Sequence, residues 1–176
     1  MNKFPIFNEE RFVPRHVGSL QFQDVIRFDQ ESLGVQIRYD SPDGVKADVY
    51  LYDLGLTDIS SDIQSPRVDD FFQQAAGSVL LAAEHGLLLD FEIKDSRYLV
   101  LPVTDPEPTY LSAVFYYRQA PGPHNHYDGM RYSHLAVRTD GGYVNKVRYT
   151  YPETVGDAQE DVILFLTEWY IAVRAV

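Results

Sequence analysis

Two stretches of strict alternation flank Ser41-Pro42-Asp43-Gly44, and they constrain the fold more than any other part of the chain. Val35, Ile37 and Tyr39 alternate with Gln36, Arg38 and Asp40. After the turn, Val45, Ala47, Val49 and Leu51 alternate with Lys46, Asp48, Tyr50 and Tyr52. A strand points successive side chains to opposite faces, so period two marks each stretch as a half-buried strand. Proline at the second turn position suits a type I turn, and Gly44 takes the left-handed conformation after it. A three-residue loop with a glycine bulge pairs Tyr39 with Ala47 and Ile37 with Val49. The apolar residues then share one face. On the other, Arg38 meets Asp48 and Asp40 meets Lys46. A slip of one residue would bury those charges.

Residues 24–53 therefore read as strands, and 54–65 as a loop. Ser65 followed by Pro66 reads as a helix N-cap with proline in the first turn, where Asp69 and Asp70 suit the positive helix end. Val68, Phe71, Phe72, Ala75, Val79, Ala82 and Ala83 recur at helical spacing, and Gly86 is the stop signal. Residues 88–103 read as a strand pair turning at Asp95-Ser96. A proline-rich loop over 104–108 follows, then a strongly apolar strand at 109–118 that suits a central position covered on both faces.

Residues 119–130 form a loop. Strands at 131–138 and 143–151 form a hairpin across a three-residue Asp140-Gly141-Gly142 loop. In that register Leu135, Val137, Tyr143, Val147 and Tyr149 share one face, and Tyr132, His134, Arg138, Lys146 and Arg148 share the other. A helix from about Gly156 to Arg174 ends the pattern, with Val162, Phe165, Leu166, Trp169, Tyr170 and Val173 on one side. The order of strands, helix, strands, helix indicates an α+β fold: an antiparallel sheet of about six to eight strands carrying two main helices. A single domain over 1–176 is expected, with an irregular segment, 1–23, packed on it.

Composition narrows the function classes. The chain has 176 residues and no cysteine, which removes disulfides, thiolate metal sites and cysteine nucleophiles. Its 15 basic and 26 acidic residues give a net charge of −11, which argues against nucleic acid and anionic lipid as partners. No apolar run approaches the ~20 residues of a bilayer span, so no membrane insertion is expected. The opening residues do not read as a secretion signal. That implies a cytoplasmic location, or the cell envelope if a leader is removed.

Val49-Tyr50-Leu51-Tyr52-Asp53-Leu54-Gly55 precedes the first helix, and Gly142-Tyr143-Val144-Asn145-Lys146-Val147-Arg148-Tyr149-Thr150-Tyr151-Pro152 precedes the last. Together these stretches resemble a group of small bacterial proteins of unknown function. The order of elements resembles the fold of the PsbP extrinsic photosystem protein and its Ran-binding relative. The resemblance covers about residues 24–174. It implies a fold used mainly for docking to other proteins, and it carries over no catalytic residue.

Direct signs of chemistry are few. His124 and His126, two residues apart in a loop, could hold a metal with Asp128 as third ligand. The competing reading is a solvated loop. No G-x-S-x-G elbow, P-loop or dinucleotide fingerprint occurs, and no cofactor is expected. The basic cluster Tyr132, His134, Arg138, Lys146 and Arg148 could hold a carboxylate, a phosphate or an acidic segment of a protein. The alternative is internal neutralisation by acids such as Asp157 or Glu160. The reading that results is a non-enzymatic binding or protein-interaction module whose partner is a protein or a small anionic ligand. Two alternatives stand beside it: a hydrolase or metal-dependent enzyme using the His124/His126 loop, and a structural subunit of a larger assembly.

Overall fold

A computed structural model describes residues 13–123 and 125–175. Among these residues, eight strands form one antiparallel sheet: β1 (His16–Val17), β2 (Leu20–Arg27), β3 (Val35–Asp40), β4 (Lys46–Tyr52), β5 (Leu88–Val100), β6 (Pro108–Gln119), β7 (Met130–Asp140) and β8 (Tyr143–Pro152). Their spatial order is β1-β2-β3-β4-β8-β7-β6-β5. The last strand thus joins the two halves of the sheet through β4, and β5 is an edge. Two helices, α1 (Pro66–Glu84) and α2 (Gln159–Arg174), complete the α+β architecture. Among the described residues, no helix is long and apolar enough to cross a membrane.

The first hairpin has the register that its turn chemistry implies. Tyr39 opposes Ala47, Ile37 opposes Val49, Arg38 opposes Asp48 and Asp40 opposes Lys46. Gly44 sits at φ +82 and donates its N–H to the Ser41 carbonyl. At the start of α1, the Ser65 hydroxyl accepts the Val68 N–H at 3.4 Å, satisfying one of the donors a helix start leaves free. Gly86, at φ +73, lies just beyond the C-cap residue His85.

The structure corrects four expectations. The segment over 1–23 is not irregular throughout, because β1 and the first half of β2 lie within it, reversing at Gly18 with φ +57. The packing expected of residues 1–12 lies outside the described residues. Residues 88–103 are not a hairpin. β5 runs unbroken through Asp95-Ser96, and the polar residues there accompany a register shift between Ile93 and Asp95 against β6, an extra residue absorbed without a reversal. The strand at 109–118, β6, is not covered on both faces. Its residues alternate between buried and half-buried over most of its length.

The fourth correction concerns the last hairpin. Gly141 and Gly142 both have positive φ, +51 and +97, and close a two-residue turn in which Asp140 opposes Tyr143. Two glycines in left-handed conformations suit the tight turns that match strand twist, so Asp140 stays in the strand. Relative to a three-residue loop the register moves by one. His134 opposes Tyr149 and Leu135 opposes Arg148.

The helices occupy opposite faces of opposite halves. α1 packs on β5, β6 and β7. There Val68, Phe71, Phe72 and Val79 bury Leu111, Ala113, Phe115, Leu135 and Val137. α2 lies on the other face, where Phe165, Leu166 and Trp169 meet Ile37, Tyr39, Val49, Val147 and Tyr149. The Tyr39 ring stands edge-on to Phe165 and Trp169, at 5.6 and 6.3 Å between centroids. Among the described residues, this diagonal placement leaves two half-faces without a helix: the α2 side of β5–β7 and the α1 side of β3, β4 and β8.

Candidate functional site

The helix-free half-face beside α2 is a cleft of about 670 Å³. Its floor comes from β6 and β7, with Ser112, Val114, Tyr132, His134 and Ala136. One wall is β5, with Lys94, Asp95, Arg97 and Leu99. The other is the segment from Tyr151 into α2, with Glu153, Asp157, Gln159, Val162 and Ile163. This volume lies within the range of small-molecule sites.

Register builds its most distinctive feature. Tyr116 on β6 opposes Tyr132 on β7, which opposes Tyr151 on β8. Three tyrosines therefore stand in line across three strands. Centroid separations are 4.7 Å for Tyr116–Tyr132 and 5.4 Å for Tyr132–Tyr151. His134, two residues along β7, extends the line. Its ring is 5.7 Å from Tyr151 at 24° between planes, with Nε2 3.4 Å from the Tyr151 hydroxyl. The Tyr116 hydroxyl donates to Glu153 Oε1 at 2.8 Å, and this bond is the main reason its pKa is pushed up to about 12.

His134 is half-buried, and its pKa is lowered to about 4. Burial is the main cause; Asp157 and Asp95 oppose the shift and Arg97 adds to it. Its imidazole is therefore neutral at pH 7. A general base works best with a pKa near the operating pH, so His134 is a weak candidate for proton abstraction. The lowered pKa also links to stability. In the unfolded chain His134 takes a proton near pH 6.5, whereas in the folded chain it waits until about pH 4. Its contribution is present above pH 6.5 and is lost as pH falls through 4. Allowing for solvent screening, the expected loss is about 2 kcal/mol. Urea unfolding at pH 7 and pH 4 tests this. Wild type should lose about that much more stability than His134→Gln, and equal losses in the two proteins would contradict it.

The five residues expected to form one basic face do not do so. Tyr132 and His134 line the cleft. Arg138 is on the same side of β7 but buried, 8 % exposed, in an ion pair with Asp140 and against the rings of Tyr110 and Tyr170. Asn145 also donates to Asp140, and Trp169 donates to Asn145 at 3.3 Å, so Arg138 belongs to an internal polar chain. Lys146 and Arg148 lie on the opposite face of the sheet. Lys146 Nζ is 4.0 Å from the centroid of Tyr50, and burial with the neighbouring Arg148 lowers its pKa to about 8. Arg148 donates Nε and Nη2 to the Ser133 hydroxyl at 3.1 and 2.9 Å. The one-residue change of register separates these two from the other three.

His124 lies outside the described residues. His126 is exposed, and Asp128 stands 3.9 Å from Arg118 Nη1. Among the described residues no three His, Asp or Glu side chains converge to hold a metal. Tyr116, Tyr151, Glu153 and the β5 charges were not singled out in the sequence. The signal that finds them is the pairing of three strands, which single-strand periodicity does not carry. No protein-family model matches the chain, and no curated protein matches it.

Proposed function

We propose that this is a non-catalytic binding protein whose ligand is a small organic molecule seated in the cleft between α2 and β5–β7. The observation that carries the reading is the set of stacked rings Tyr132, Tyr151 and His134 lining a cleft of about 670 Å³, with Tyr116 continuing the row beyond it. Aromatic rings give large contact area at low entropic cost, and their polar tips orient a ligand. The neutral, weakly basic His134 supports binding over acid–base chemistry. A binding role also agrees with what the resemblance to PsbP-like folds implies, although that resemblance points to protein docking.

The test is a ligand-detected magnetic resonance screen of small molecules of mixed charge, on wild type and on Val114→Trp. Val114 is half-buried on the cleft floor, so an indole there fills the cleft without entering either core. Wild type should give binders, and the variant, with an unchanged circular dichroism spectrum, should lose them. Binders that persist in the variant would place the site elsewhere.

A further inference from the structure

The charges around the cleft point to the class of ligand it takes, given that the cleft is the site. Five charged residues line it: Lys94, Arg97, Asp95, Glu153 and Asp157. Both cations are engaged by acids of their own strand. Lys94 pairs with Glu92, and Arg97 Nε lies 3.1 Å from Asp95 Oδ2. The two acids on the opposite wall are differently placed. Glu153 accepts a hydrogen bond from the neutral Tyr116 hydroxyl, and Asp157 Oδ1 accepts the Gln159 N–H at 3.1 Å. Neither bond cancels a charge, and neither acid forms an ion pair with a described residue. His134, neutral at pH 7, adds no positive charge.

The rings favour the same sign. Tyr132–Tyr151 and Tyr151–His134 have low interplanar angles, 25° and 24°, at 5.4 and 5.7 Å. Those are offset stacks, which leave part of each electron-rich face uncovered. The chain already uses one end of the row this way: Lys94 Nζ stands 4.9 Å from the Tyr116 centroid. Among the described residues no cation lies over Tyr132 or Tyr151. The net charge of −11 adds a field that draws cations inward.

We infer that the cleft selects a small organic cation of alkylammonium type, held between Glu153 and Asp157 against Tyr132 and Tyr151. Three probes of one shape isolate charge: choline, its neutral isostere 3,3-dimethylbutan-1-ol, and the anion 3,3-dimethylbutanoate. Calorimetric titration should rank them in that order, with choline about tenfold tighter than the alcohol. The Glu153→Gln/Asp157→Asn double variant keeps both acceptors and removes both charges. It should weaken choline about tenfold and leave the alcohol unchanged. Lys94→Gln removes a competing ammonium and should tighten choline about threefold. An alcohol that binds as well as choline, or a carboxylate that binds best, would overturn the cation class while leaving the cleft as the site. If none of the three binds, the cation class is overturned while the cleft stands or falls with the screen; if binding ignores Val114→Trp, the cleft reading itself fails along with the inference.

Discussion

Trp169→Ala should lower the stability of the folded chain by about 3–5 kcal/mol, the cost of removing a large buried aromatic side chain. Trp169 is 0 % exposed and is the chain's single tryptophan. It packs edge-on to Tyr39, and its indole N–H is donated to Asn145, itself 1 % exposed. Deletion leaves a cavity between α2 and the sheet and removes the donor at the head of the chain running through Asn145 and Asp140 to Arg138. Trp169→Phe separates the two effects: it keeps most of the volume and leaves Asn145 Oδ1 without that donor, for a smaller loss of about 1–3 kcal/mol. The alanine variant has no tryptophan fluorescence, so urea unfolding must be followed by circular dichroism. A loss below about 1 kcal/mol for Trp169→Ala would mean that α2 is not docked as described.

Gly34→Ala should be comparably severe, through the backbone. Gly34 precedes β3 at φ +66, and a Cβ built there would stand 1.8 Å from the Leu51 carbonyl oxygen and 3.0 Å from Tyr52 Cα. The atoms met belong to the backbone of β4, so no side-chain rotation relieves the overlap. The short 3-10 turn at Glu31–Leu33 is tied to the same place, since the Ser32 carbonyl accepts the N–H groups of Asp53 and Leu54. The strands must part or the turn must leave, at an expected cost of about 3 kcal/mol or more. Gly77→Ala is the matching control. Gly77 lies within α1 with nothing within 4 Å of its added Cβ, so alanine there should stabilise by about 0.5–1 kcal/mol. Similar outcomes at both positions would contradict the close approach of Gly34 to β4.

Both variants probe the frame that holds the cleft open, because α2 is anchored over β3, β4 and β8 while its N-terminal half walls the cleft. How far this was legible varied with the kind of signal. The first hairpin could be read to the residue, since Pro42 and Gly44 specify the turn and a slip would bury Arg38 and Asp48. The last hairpin could not. Asp140-Gly141-Gly142 is compatible with either a two- or a three-residue loop, and both registers give plausible faces. The glycine conformations and the Arg138–Asp140 pair keep Asp140 in the strand. That one-residue difference dissolves the expected basic face and creates the aromatic row. In β5, Asp95-Ser96 imitates a turn because a bulge and a turn use the same polar residues. Tyr132 and His134 were visible as candidates. Tyr116 and Tyr151 acquire meaning only when three strands are placed side by side.

Protein-detected magnetic resonance with choline as the probe tests most directly that this cleft is the ligand site. Aromatic ring signals of Tyr116, Tyr132, Tyr151 and His134 should shift together along one saturable curve. Choline methyl protons should move upfield, as expected over ring faces, and rings of the opposite sheet face, such as Tyr50 and Tyr52, should stay still. Saturable shifts centred on Tyr50 and Tyr52, or saturable binding that leaves the row unmoved, would contradict the assignment of the cleft.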